Sequence, residues 1–180
     1  MSLLPIVKEG DPRLRLKSSK IRQADESLRK LAADMHETMD AAPGVGLAAP
    51  QVGVNRRLIV VHKHADEEDP KDKEIRLTIL NPEIIRRHGE DHDLEGCLSI
   101  PGWVGEVPRA WKITVKGQDL DNKEIRVKAE GFLARILQHE IDHLDGVLFV
   151  DRVEDKETLQ RSDEQAPVDH DHDAAHPTGD

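Results

Sequence analysis

His139 and His143 stand four positions apart in "LQHEIDHLDG", with Glu140 directly after the first. On a helix that spacing puts both imidazoles on one face, about 6 Å apart along the axis, so they can hold one metal ion between them. Glu140 is offset by one position and is free to reach a water at the metal and take its proton, the role of the glutamate in H-E-x-x-H sites. The chemistry of such a set is metal-assisted hydrolysis. A solvent-facing pair with no task is the plainer alternative. Leu133, Ile136, Leu137 and Leu144 argue against it, because they flank the histidines and so turn the pair inward, where an imidazole needs a partner.

A catalytic site of this kind needs three protein ligands and one open position. Asp145, Asp151, Glu154 and Glu157 lie downstream of the pair, and Cys97 lies upstream in "LEGCLSIPG". Cys97 is the only cysteine, so it can form no internal disulfide. A lone thiol is often a small core residue. Gly96 and Gly102, however, bracket it in a stretch where the backbone approaches something closely, and a thiolate is a strong ligand for a borderline metal. Metal ligand ranks first, core thiol second, and nucleophile third, since that last role leaves a histidine and Glu140 without work.

The elements that must position these residues follow from patterning. Residues 25–40 have Asp25 as N-cap and Leu28, Leu31, Met35 and Met39 in one stripe, which predicts an amphipathic helix stopped by Pro43 and Gly44. "RLIVV" at 57–61 reads as a short buried strand, and 62–74 as a solvated loop. "IRLTILNPEIIRRH" suggests two strands around Asn81 and Pro82, and the alternation either side of Asp119–Asn122 a β-hairpin. After Gly131 the period becomes helical until Gly146.

One long helix before the strands and one after, without regular βαβ alternation, predicts an α+β fold. Residues 1–153 form a single domain in this reading, with antiparallel strands packed around a central helix that carries the H-E-x-x-H motif, plus the N-terminal helix. Residues 154–180 are expected to be a disordered acidic tail. From Asp151 on there are ten acids against three Lys or Arg, and "QAPVDHDHDAAHPTGD" has almost nothing to bury. Its His170, His172 and His176 offer at most loose metal binding. A net charge of −10 over 180 residues disfavours nucleic acid or an anionic membrane as partner. No apolar run approaches a membrane span, no leader pattern opens the chain, and the expected location is the cytoplasm.

Three stretches together resemble one family. "GVGLAAPQ" at 44–51, "EGCLS" at 95–99 and "QHEIDH" at 138–143 are similar to the three motifs of the peptide deformylases, in order, within a likeness running from about Pro5 to Val153. The resemblance implies a hydrolase that removes the formyl group from the N-terminal formyl-methionine of new polypeptides and releases formate. It makes Cys97, His139 and His143 the metal ligands and Glu140 the general acid/base. Gln51 and the Leu98 backbone N–H become the groups that meet the developing oxyanion, and Gly46 the backbone that meets the substrate. Val45, Phe132 and Ile136 are candidates for the pocket around the methionine side chain, and Glu95 with Arg109 for a pair bracing "EGCLS", a solvent-exposed pair being the alternative for those two.

The implied cofactor is one divalent ion, commonly ferrous iron in the family, with zinc, nickel or cobalt able to take its place. The implied partners are formylated nascent peptides and, transiently, the ribosome; the acidic tail is a poor match for RNA. A zinc protease using the same helix, or a non-catalytic metal-binding or ribosome-associated module, are the competing readings.

Overall fold

The computed structural model describes residues 2–162. A 16-residue helix α1, Glu26–Ala41, begins where Asp25 accepts a hydrogen bond from the Leu28 N–H at 2.9 Å, as its N-cap position predicts. Among the described residues eight strands follow, in two antiparallel sheets. The first sheet has the order β1 (Gly46–Ala48), β2 (Leu58–Lys63), β3 (Ile75–His88), β6 (Lys112–Gln118), β7 (Glu124–Glu130). The second has the order β4 (Asp91–Cys97), β5 (Ile100–Arg109), β8 (Gln160–Arg161). Helix α2, Gly131–Leu144, carries the H-E-x-x-H residues, and one short turn of helix, α3, spans Phe149–Arg152.

Strand β2 explains why its sequence is apolar without alternation: it is covered on both faces. Leu58 and Val60 pack with Leu28, Ala32, Met35 and Met39 of α1, while Ile59 and Val61 pack with Ala134, Leu137 and Ile141 of α2. Helix α2 therefore has one flank on the large sheet. Its other flank meets the small sheet through polar side chains, described below. Gly146, just past the helix end, has φ +73°, and a Cβ there would lie 2.5 Å from the Arg15 carbonyl oxygen, so glycine is needed twice over.

Three expectations are corrected. The two strands around Asn81 and Pro82 are one 14-residue strand with an irregularity in its pairing to β6 between Leu80 and Glu83. Asn81 takes φ 49° there, and its side chain bonds both the N–H and the carbonyl of Ile21 at 2.8 Å, which holds the bend without ending the strand. His62 and Lys63 belong to β2 and His62 is buried, so the solvated loop starts later than residue 62. The domain also runs past Val153: residues 156–158 form a 3₁₀ turn, Gln160 and Arg161 pair with Val104 and Trp103, and Leu159 packs against the cluster that holds Ile100, Val107, Phe149 and Val153. The rest of the expected tail, with His170, His172 and His176, lies outside the described residues.

Candidate active site

The motif helix places both imidazoles as its spacing requires. His139 and His143 are buried, and their Nε2 atoms face each other at 3.3 Å. The Cys97 sulfur lies 3.3 Å from the same His143 Nε2, although it comes from the end of β4 in the other sheet. The ligand atoms of Cys97, His139 and His143 all fall within 4.8 Å of one another. None of the downstream acids joins them in that group.

This trio fits a metal ion on its own chemistry. Two ring nitrogens facing each other in a buried site repel through their lone pairs unless a cation or proton sits between them. Ligands each about 2.0–2.1 Å from a tetrahedral ion lie about 3.3 Å apart, the separation seen here. Burial, followed by the charge of His139, holds His143 well below the usual histidine range and keeps it neutral, as a ligand must be. His139 is also buried, yet Cys97 and Glu95 push its proton affinity above the usual value, so a cation at its Nε2 would take the place of a proton there. Its Nδ1 lies 2.8 Å from Glu95 Oε1, and a proton on that nitrogen leaves Nε2 turned toward Cys97 and His143.

Glu95 is the hub of a buried network. Besides His139 it accepts from Arg109 at 2.8 and 2.9 Å and from Arg135 at 2.7 Å. Arg109 also donates to Asp142 at 2.6 Å, and Arg135 to the Val107 carbonyl at 2.7 Å. The Glu95–Arg109 pair anticipated from sequence is thus buried rather than exposed. Arg135 and Asp142 were not anticipated. The available signal was helical spacing, since Arg135 stands four before His139 and shares its face.

Glu140 is buried, and its Oε2 has no hydrogen-bond partner among the described residues. Burial pushes its carboxyl up to about 7. A carboxyl poised there can take a proton and give it back. Gly46 of β1 presses against it: a Cβ at Gly46 would lie 2.6 Å from Oε1 and 2.8 Å from Cγ of Glu140. The φ of Gly46 is not left-handed, so its requirement for glycine is steric. We expect Gly46→Ala to displace the carboxyl and lower kcat by about 10²-fold with metal content unchanged; steady-state kinetics beside metal analysis checks both.

A cavity of about 680 Å³ opens on this group. Its wall includes Val45, Gly46, Gln51, Cys97, Leu98, Phe132, Ile136, His139 and Glu140, so the expected site residues converge on it except His143, which lies behind. Phe132 is half exposed at the rim, whereas Ile136 is buried. The Gln51 amide is oriented by two bonds: its Oε1 accepts from the Ala48 N–H at 2.9 Å, and its Nε2 donates to Ser99 Oγ at 3.2 Å and faces the Cys97 sulfur at 3.5 Å.

The sequence profile of the polypeptide deformylases matches residues 3–159. The chain belongs to the peptide deformylase family. It is 58% identical over 160 residues to the peptide deformylase of Thermomicrobium roseum, covering 89% of this chain and 91% of that one. It is 50% identical over 153 residues to that of Halothermothrix orenii, covering 85% and 95%. Among solved structures, the Ehrlichia chaffeensis deformylase in complex with actinonin superposes with a TM-score of 0.79 at 42% identity, covering 85% of this chain and 90% of that one. The Met-Ala-Ser-bound enzyme of Acinetobacter baumannii gives 0.78 at 38%, covering 84% and 98%.

The α+β fold agrees with these relatives. Deformylases are metal-dependent hydrolases, and the function of the chain is to remove the formyl group from the N-terminal formyl-methionine of newly made polypeptides, releasing formate. No helix among the described residues is long and apolar enough to cross a membrane.

Proposed function

We propose that deformylation runs through Cys97, His139 and His143 as holders of one divalent ion, with Glu140 as the general acid/base. The observation that carries this reading is the gathering of those three donor atoms within 4.8 Å beside an unpartnered, buried carboxylate at a cavity wall. When bound, the ion supplies a Lewis acid that activates water and polarises the formyl oxygen. Glu140 takes a proton from the attacking water and later returns it to the leaving amine. Negative charge on the formyl oxygen is met by the Gln51 amide and the Leu98 N–H, each such donor typically contributing about 3 kcal/mol.

Substrate enters as an extended chain. β1 is an edge strand of the large sheet and its first residue, Gly46, lines the cavity together with Gly44 and Val45 before it, so a peptide can add to this edge by backbone pairing. Val45, Phe132 and Ile136 receive the methionine side chain. A methionine-headed tripeptide, Met-Ala-Ser, bound to the Acinetobacter baumannii relative is the size and polarity this cavity suits. Formyl-Met-Ala-Ser is expected to yield formate with no internal cleavage; internal cleavage would sink the assignment in favour of a protease.

Ferrous iron is our choice of native metal, because one thiolate with two imidazoles suits a borderline divalent ion and the family commonly uses it. Metal analysis after anaerobic purification tests this, and zinc alone under those conditions overturns it. Action in the cytoplasm, with transient visits to the ribosome, follows from the substrate being a nascent chain. Deletion of residues 163–180 is expected to leave turnover of short formyl-peptides unchanged, since Gln51, Cys97, His139, Glu140 and His143 all precede it and are held by residues 2–162. A large loss would give that segment a role in the site.

A further inference from the structure

His62, His64 and Glu74 form a second cluster of ligating side chains, separate from the site above. His62 and His64 are two apart across the end of β2, so strand geometry puts their side chains on one face. Their ring centroids are 4.0 Å apart. The register His62↔Arg76, Lys63↔Ile75 brings Glu74 to the next position, opposite His64. The donor atoms of the three residues lie within 4.8 Å of one another.

His62 is buried and engaged on both ring nitrogens. Nε2 is 2.5 Å from Glu74 Oε1, and Nδ1 is 3.1 Å from Asp40 Oδ1. Arg76 stands 2.8 Å from Nδ1 and 3.1 Å from the other Asp40 oxygen. A carboxylate behind the far nitrogen of an imidazole is the arrangement that orients and strengthens a histidine ligand. The segment 62–74 also carries six acids against three lysines, a field that favours a cation and outweighs the single charge of Arg76, which is paired with Asp40.

We propose that His62 Nε2, a ring nitrogen of His64 and a carboxylate oxygen of Glu74 form a second divalent site, of the kind that zinc occupies, with a fourth position for water. Two nitrogens and one carboxylate are a common zinc donor set. Arg76 Nη2 can only donate, so at 2.8 Å it makes Nδ1 an acceptor here; on binding, the ring proton must pass to Nδ1, where Asp40 accepts it, and Arg76 must turn away from Nδ1 while keeping its bond to Asp40. Ligands of a tetrahedral zinc ion lie about 3.3 Å apart, so the Glu74 oxygen must draw back from His62 Nε2 and the His64 ring adjust to the ion, by rotations of His64 and Glu74, both of which are exposed. The His62 N–H donates to the Val45 carbonyl at 2.9 Å, and Asp40 is in the last turn of α1. The ion therefore ties α1 to β2 and β3 behind the Val45 wall of the substrate cavity.

The test is zinc stoichiometry of the full-length holoenzyme after dialysis against a zinc buffer. The unmodified chain is expected to hold one more ion than His64→Ala/Glu74→Gln, with formate release the same in both. The difference between chains reads the site, so the result stands apart from the roles given to Cys97, His139 and His143. A His170→Ala/His172→Ala/His176→Ala chain is expected to keep the extra ion. Equal stoichiometry in the unmodified and double-variant chains overturns the proposal, as does loss of the extra ion in the triple variant. Cobalt titration of the unmodified chain gives a check that needs no variant: a second equivalent should add visible bands without thiolate-to-metal absorption, and saturation after one equivalent overturns the proposal.

Discussion

Replacing Glu140 with glutamine is expected to lower kcat for formyl-Met-Ala-Ser by about 10²–10⁴-fold, the range for loss of a general acid/base, while bound metal stays unchanged. Glutamine keeps the side-chain volume that Gly46 contacts, so the cavity wall need not move. What it removes is the carboxyl's ability to take a proton. KM should change little, because Glu140 makes no substrate contact in this scheme other than through the protons in flight. Thermal stability should not fall, since the residue is buried with an unpartnered oxygen and a neutral amide is less costly there than a carboxylate. Activity within tenfold of the parent would remove Glu140 from its assigned role. Loss of metal together with activity would instead make it part of the ion's support.

Glu95→Ala should have the largest effect on stability, about 3–5 kcal/mol, the usual consequence of removing one partner from a buried ion pair. Glu95 accepts four hydrogen bonds from three side chains, Arg109, Arg135 and His139, and all four residues are buried. Its deletion leaves two guanidinium groups in the interior with fewer acceptors; Arg109 retains Asp142, and Arg135 retains the Val107 carbonyl. Those remaining partners keep the cost within that range rather than above it. Denaturant unfolding would measure it, and a change below about 1 kcal/mol, the level of an exposed pair, would refute the account. The same substitution frees His139 Nδ1, and loss of such a partner typically weakens metal affinity by about 10–100-fold. Competition with a chelator separates this second effect from simple unfolding, provided it is run well below the variant's melting temperature.

The parts of this molecule that could be read from sequence are those decided by neighbours in the chain. Asp25 caps α1 because a side-chain oxygen three residues before an N–H can always reach it. The hairpin turns near Asp119–Asn122, where Asn122 takes φ 62°, a conformation asparagine tolerates better than most residues. The i, i+4 spacing of His139 and His143 brings their imidazoles to one face in any helix. The chemistry of metal hydrolysis, and through the three motifs the family itself, were therefore determined by sequence alone.

The rest depended on which distant segments meet. Cys97 reached His143 because the end of β4 is laid against α2, a contact that no local rule dictates. Arg135 is an ordinary helix residue by pattern and became a buried part of the site only because β4 and β5 bring Glu95 and the Val107 carbonyl to it. His62 looked solvated beside a run of charges, yet pairing of β2 with β3 continues through Lys63 and places its imidazole among Asp40, Glu74 and Arg76. Charged and polar side chains are buried only where a partner waits for them, and that partner is supplied by tertiary packing. Sequence by itself determined that His139 and His143 share one helix face with Glu140 beside them, and the kind of reaction; the meeting of two sheets across one helix decided what lies against, braces and encloses them.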